Sequence, residues 1–426
     1  MSAIHKKDGG GVPEIMISVD DIEFVKELYP RLREDDAAIE RYRASIDLLP
    51  PIAVARGRVL VDGFHRWQAH KREGRPAIAA VDLGNLSDAE MFNESIERNA
   101  KHGQQLSAKD KQACAAKLWA TMAHLPPAER KAKIIATLAV SGDAVERWTK
   151  DARSDEKKAA QAKAWDLWLD CKTEQEVADA IGVDQATAHR WINANAADAV
   201  FALPPASRQH FDVWSFGKAD DDAGTGSYFG KLPGQIAENL LWLYTEPGQV
   251  VVDPFAGGGT MIDVAKRMGR RVWASDRKPS TPTLPIHQHD IVTGWPKDAP
   301  TKADFIFLDP PYWVQAAGRY SDDPECLGNM SLDDFYAAWE KVVLACKPHL
   351  AKGGKLAFIV SPAEQKDAGV EDLALGMFRI CDKAGLKPIR RIIATYNTQQ
   401  ATGQQVEWAR GNKKLLKLYR DVVVFA

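Results

Sequence analysis

A chain of 426 residues, 45% hydrophobic and 27% charged, exceeds one ordinary core and has the composition of a globular protein of two or three domains. Its formal net charge of −2 excludes a generally cationic coat for nucleic acid, although a local basic face is compatible with the balance. No run reaches the roughly 20 apolar residues of a membrane span, and Cys114, Cys171, Cys326, Cys346 and Cys381 form no CxxC pair, so neither a disulfide framework nor a metal site is signalled and reduced, mostly buried thiols are expected.

Residues 1–15 are polar and glycine-rich without the apolar centre of a signal peptide, and are expected to be a disordered leader on a cytoplasmic protein. From 16 to 103, short apolar runs such as PIAVA and RVLVD alternate with charged helical stretches, which predicts a small α/β domain. Within it, Val59-Leu-Val-Asp-Gly-Phe-His-Arg-Trp-Gln-Ala69 resembles the first box of ParB-type partitioning proteins, and Asn93-Glu-Ser-Ile-Glu-Arg-Asn99 resembles the second. A strand ending in Asp62-Gly63 before a helix offers backbone donors and Arg66 to a phosphate, either of DNA or of a nucleotide. The resemblance implies a nucleoside triphosphate site. The usual double arginine is here His65-Arg66, however, and Ser95 stands where asparagine is usual.

Between 104 and 200 the strand signals vanish and Ala, Lys, Glu and Trp recur at helical spacing. Thr173 to Trp191 has helix-turn-helix spacing, with Gly182 at the turn and Gln185, Thr187, His189 and Arg190 on the second helix, where they could meet DNA bases or simply cover a packing hairpin. A poorer repeat runs from Ala136 to Trp148, and both Trp148 and Trp191 are expected in the core. Paired prolines, the acids Asp220 to Asp222 and several glycines mark 201–227 as a linker and entry loop.

From Gln249 the chain repeats strand, turn, helix: QVVVD, RVWASD, ADFIFLD, KLAFIVS, IRRIIATY and DVVVF. This predicts a Rossmann-like, doubly wound and mostly parallel sheet covered on both faces, over 228–426. The turn Asp253-Pro254-Phe255-Ala256-Gly257-Gly258-Gly259-Thr260 joins a strand to a helix, where a nucleotide-like cofactor binds. Asp276, followed by Arg277, ends the next strand and can accept from both hydroxyls of a ribose. Asp290, expected after a short third strand, can receive an adenine amine or cap a turn. The fourth strand delivers Asp309-Pro310-Pro311-Tyr312 to the carboxyl edge. There the Asp309 carboxylate and Pro310 carbonyl can take two hydrogen bonds from one exocyclic amine. Pro311 pre-aims that carbonyl, and Tyr312 is placed to stack on the ring bearing the amine.

Residues from about Asp212 to Ala426 resemble the amino-methyltransferases of DNA, with DPFAGGGT as cofactor motif, VWASD as ribose motif and DPPY as catalytic motif. The run Tyr228 to Leu241, with Phe229, Lys231 and Pro233, resembles the cofactor-flanking helix of that family. The resemblance implies S-adenosyl-methionine with its methionine end at Asp253, Phe255 and Gly257, double-stranded DNA as partner, a base flipped for methylation, and no metal. It leaves open a homodimer, a mobile-element origin and a nucleotide at the front domain. Aspartate as first residue of the tetrapeptide favours adenine N6, since cytosine-N4 enzymes more often resemble a serine version. A ParB-like DNA-binding regulator with an inert methylase domain is the alternative from another class. Only about fifty residues separate the cofactor motif from the tetrapeptide, too few for a large target-recognition insert, so sequence reading must come from elsewhere. No HExxH, serine elbow or P-loop lysine motif supports hydrolase or NTPase chemistry.

Overall fold

The computed structural model describes residues 13–101, 106–198, 208–216, 223–224, 230–279, 282–318, 320, 322–365, 369–395 and 402–426. It divides into two compact units, Met1–Ala159 and Ala160–Ala426. No described helix is long and apolar enough to cross a membrane.

The first unit contains β1 (Glu14–Ser18), α1 (Asp36–Arg43), β2 (Ile52–Ala55), β3 (Val59–Asp62), α2 (Phe64–Arg72), β4 (Ala77–Asp82), α3 (Asp88–Lys101), α4 (Ala108–Thr121), α5 (Pro127–Leu138) and α6 (Gly142–Trp148). Its sheet has the order β1-β4-β2-β3. The expected leader is too long by two residues, because Glu14 and Ile15 already pair with Val81 and Ala80 in an antiparallel ladder. The period of two in β2 and β3 buries both faces. Ile52, Val54 and Leu60 pack with Phe64 and Trp67 of α2 on one side, while Val59 and Val61 meet Met91, Ile96, Leu118, Ile134 and Val145 on the other. That second core is shared by α3 to α6, so the chain forms no boundary at 103. Ser107 starts α4 through a capping box with Asp110.

In the middle of α7 (Lys150–Leu169) the first unit gives way to the second. The end of α7, α8 (Glu174–Ile181) and α9 (Gln185–Asp198) enclose a small core of Ala164, Val177, Ala178, Ala188 and Ile192. Thr173 and Glu176 form a capping box for α8, and Gly182 closes it at φ 72°. The end of α7 is fastened to the sheet domain: Lys266 lies 3.0 Å from Asp166 and 2.7 Å from Asp170, and the Arg271 guanidinium sits 5.2 Å over the Trp168 ring. The expected helical region 104–200 is therefore split, its first helices packing with one unit and its last with the other.

The sheet domain follows with β5 (Val213–Trp214), α10 (Gly234–Tyr244), β6 (Val250–Asp253), α11 (Thr260–Arg267), β7 (Arg271–Asp276), β8 (Ile286–Gln288), β9 (Ala303–Leu308), α12 (Leu332–Cys346), β10 (Leu350–Val360), the hairpin β11 (Ala363–Gln365) and β12 (Gly369–Glu371), α13 (Leu373–Lys383), β13 (Pro388–Thr395), α14 (Gly403–Gly411) and β14 (Tyr419–Phe425). The order is β5-β13-β14-β10-β9-β6-β7-β8, with β14 running against its neighbours. Successive β9 residues alternate faces: Phe305 and Phe307 join the core under α10 and α11, Ile306 and Leu308 the core under α12 and α13. Each such buried side chain contributes about 1.5–3 kcal/mol. The chain reverses its direction of winding between β6 and β9, which opens a crevice at their carboxyl ends, where Asp253 and Asp309 stand.

Candidate active site

At the end of β6, Asp253 is 2% exposed and its Oδ1 accepts from the Phe255 N–H at 3.1 Å. The chain then turns tightly into α11. Gly259 has φ 82°, and a Cβ there would lie 2.2 Å from Leu284 Cδ1, so both backbone and space require glycine. Asp276 ties this turn to the next strand by accepting from Gly257 N at 3.0 Å and Lys278 N at 2.9 Å. A cavity of about 450 Å³ opens over these strand ends. Of the residues expected to bind cofactor, Asp253, Pro254, Phe255, Ala256, Gly257, Thr260, Asp276, Arg277, Asp290 and Lys231 line it, together with Asp309 and Pro311 of the tetrapeptide. Gly259 and Pro233 shape the turn and the start of α10 without lining it, and Phe229 lies outside the described residues.

Pro310 is buried behind the cavity wall and Tyr312 is turned away from it. Tyr312 has φ −80° and ψ 62°, and Trp313 N donates to Pro311 O at 2.8 Å, an inverse γ-turn. Trp313 then takes φ 46°, a strained conformation for a bulky residue, held by burial of its ring and by Nε1 donating to Met330 O at 2.9 Å. The turn sends the Tyr312 ring against the core, where its hydroxyl donates to the Asp309 carboxylate. The Tyr312 ring is therefore not among the side chains lining the cavity. Instead Tyr320 lines the cavity. Nothing in the tetrapeptide points to Tyr320, whose only signal is an aromatic residue shortly after it.

Burial dominates the electrostatics. Desolvation raises the Asp309 carboxyl to about 6, against the opposing Arg420 charge and the Tyr312 hydrogen bond. Asp253 is pushed well above the carboxylate range by burial and, more weakly, by the charges of Asp309 and Asp276, with Phe255 N–H opposing. Arg277 crosses to the far wall, with Nη2 2.6 Å from Asp323 and Nε 3.4 Å from Asp290, while its Nη1 is buried without a hydrogen-bond partner. Asp290 also caps the following turn by accepting from Val292 N at 3.0 Å. Ile291 and Val292, unremarked in the sequence, add apolar wall beside it.

The other expected ligands lie elsewhere. In the first unit, Gly63 starts α2 at φ 99°, bringing Asp62 and Arg66 together. Arg66 is spent internally: Nη1 donates to Pro50 O at 3.0 Å and Pro51 O at 2.8 Å, and Nη2 to Asp62 at 2.9 Å. Asn99 of the second box donates to Ser95 O at 2.8 Å and, at 3.5 Å, to Asp62 Oδ1 of the first, so the two boxes converge. On α9, Gln185, His189 and Arg190 are exposed, and Thr187 is half-buried. Asp184 caps this helix by accepting from Thr187 N at 2.9 Å, Arg190 donates to Thr187 Oγ1 at 2.9 Å, and His189 lies 2.8 Å from Glu174. Trp148 and Trp191 are half-buried against their respective cores.

Fold and site together define a doubly wound α/β domain with a glycine-turn cofactor crevice and a catalytic-type carboxylate on the neighbouring strand. Residues 132–281 match the family model of N6/N4 DNA methylases, a segment that includes the glycine turn and Asp276 and stops short of Asp309. No curated protein matches the chain in sequence. Among solved structures, TrmN from Thermus thermophilus is similar at 17% identity and TM-score 0.29, over 46% of this chain and 49% of that one, about half its length. A Pnob8-like ParB-N domain is similar at 14% identity and TM-score 0.28, over 46% and 87% of the two chains. ParB from Caulobacter crescentus in complex with the parS site is similar at 16% identity and TM-score 0.25, over 42% and 99%.

The methylase match supports an amino-methyltransferase with S-adenosyl-methionine as cofactor, and the residues fit that group. A buried Asp253 carboxyl with one N–H donor favours a cationic ligand, Arg277 Nη1 is an unpartnered donor, and the cavity volume is in the range of small-ligand sites.

Proposed function

We propose that this protein is a DNA methyltransferase that modifies the N6 amine of adenine and acts in the cytoplasm. The observation that carries this reading is the convergence of Asp309 with the glycine turn and Asp276 in one cavity. Bound S-adenosyl-methionine supplies an electrophilic methyl group. Asp253, Phe255 and Gly257 would hold its methionine end, Asp276 its ribose hydroxyls, and Asp290 with Ile291 and Val292 its adenine. On the substrate side, the Asp309 carboxylate accepts from the amine and frees its lone pair. Tyr312 holds Asp309 in register, and Tyr320 offers a ring to a base flipped from the duplex. The proton released from the amine can rest on an Asp309 oxygen. In this reading the exposed Gln185, His189 and Arg190 of α9 meet DNA in the manner of a recognition helix, which their exposure supports.

Incubation with labelled S-adenosyl-methionine and mixed-sequence duplex DNA, followed by digestion to nucleosides and mass spectrometry, tests the reading. Label on N6 of adenine is expected. Label on N4 of cytosine would move the substrate, and unlabelled DNA would overturn the assignment.

The raised Asp309 carboxyl sets a pH dependence. Below about 6 it is protonated and loses its charge-assisted acceptor, so the single-turnover rate should fall about tenfold per pH unit there and level off above. Asp309→Asn should be slower and flat across that range. A wild-type profile flat from pH 5 to 8 would remove Asp309 from this role.

A further inference from the structure

We infer that the segment from Thr402 to Lys417, which connects β13 to β14, is a docking surface for the phosphate backbone of duplex DNA beside the catalytic edge. The inference rests on the DNA methyltransferase reading above. Register places the segment. Leu308 pairs with Phe358, Val360 with Asp421, and Tyr419 with Thr395, so the connection leaves the sheet at the edge that carries Asp309. It is also stitched there: Lys417 Nζ donates to Pro362 O at 2.8 Å and to Gln315 Oε1, Gln315 Nε2 donates to Pro362 O at 2.7 Å, and Ser361 Oγ donates to Tyr419 O at 3.0 Å. Gln315 follows the tetrapeptide by one turn of chain.

The chemistry of this surface differs from that of the whole. In a chain of net charge −2, Arg410, Lys413 and Lys414 stand exposed together, with Glu407 as the acid nearby. The Arg410–Glu407 pair, 3.6 Å apart and about three-quarters exposed on each side, neutralises little. Trp408 is 58% exposed on the same helix, an aromatic ring set among cations. Lys413 adopts φ 52° although Gly411 and Asn412 beside it would take that conformation more easily. That conformation closes α14, with Lys413 N donating to Arg410 O at 3.3 Å and Lys414 N to Ala409 O at 2.9 Å, and both lysine side chains are exposed beyond the helix end. Cations at this density match a polyanion, and a duplex whose flipped base enters the cavity must lay its backbone along this edge.

The test uses the full chain with the double variant Lys413→Glu/Lys414→Glu. Duplex affinity is followed by fluorescence anisotropy over a salt series, and methyl transfer is followed by label. Duplex affinity should fall at least about tenfold at 0.1 M salt, and the slope of log affinity against log salt should shrink by about 2. Cofactor affinity and circular dichroism should stay as in the wild type. Lys413→Arg/Lys414→Arg should bind as the wild type does. Lys352→Glu, exposed at the opposite edge, controls for general charge. Unchanged affinity and slope in the folded double variant would overturn the docking surface, as would lysine-dependent binding that prefers single-stranded RNA to duplex DNA. A wild type that leaves DNA unlabelled overturns the methyltransferase reading instead, and lysine-dependent duplex binding would then still support the surface.

Discussion

Replacing Asp309 with alanine is expected to lower methyl transfer by about two to three orders of magnitude while leaving the affinity for S-adenosyl-methionine within a few-fold of wild type. An oriented acceptor at an excluded site and its handling of the proton act through the same oxygen and together are worth about 10²–10³ in rate. Both depend here on a single carboxylate held by Tyr312 and raised to about 6. Cofactor affinity should survive because the groups proposed to hold the cofactor lie on β6, β7 and the segment after β8. Loss of the Asp309 charge also relieves, slightly, the pressure on Asp253. Single-turnover rates with saturating DNA, alongside calorimetric titration of the cofactor, separate the two effects. An alanine variant within tenfold of wild-type rate would end the proposed mechanism. The site has a stability cost with a definite sign. A carboxyl raised above its unfolded value binds its proton more tightly when folded, so this contribution is present at low pH and is lost as pH rises from about 4 to about 6.

Asp276→Ala should do the converse, weakening cofactor binding by about 100-fold with the rate at saturating cofactor changed less than tenfold. Hydrogen bonds to a charged acceptor are worth about 1.5–3 kcal/mol each, and the proposed ribose contacts use two. The carboxylate also takes the N–H groups of Gly257 and Lys278, so its removal leaves two backbone donors unsatisfied and loosens the glycine turn. Asp276→Asn should fall between, because the amide keeps one acceptor and presents an N–H where another is needed. Equilibrium dialysis of labelled cofactor reads this directly. Wild-type affinity in the alanine variant would place the ribose elsewhere.

Latches and loops also bear on the site in ways that motif reading does not reach. Arg277 was expected beside the cofactor. It lines the cavity, but its charge is largely taken by Asp323 and Asp290, so it joins the β7 end to the segment that carries Cys326 and Leu327 in the opposite wall.

The amino-acid sequence by itself determined the doubly wound sheet, the strand ends that carry Asp253, Asp276 and Asp309, and the cap at Asp290. Each is a local property: a period of apolar residues, a glycine where the chain must turn, an acid at the end of a run. Only the tertiary structure decided that β14 runs against its neighbours, that α4 to α6 share a core with the first sheet, and that the end of α7 is pinned to α11 and β7 by Lys266 and Arg271. It likewise decided that Arg66 bonds inward, that Tyr312 turns to the core while Tyr320 takes the cavity wall, and that a basic connection lies at the catalytic edge. These outcomes depend on which distant groups compete for the same donors and the same buried space, and no window of sequence contains both competitors.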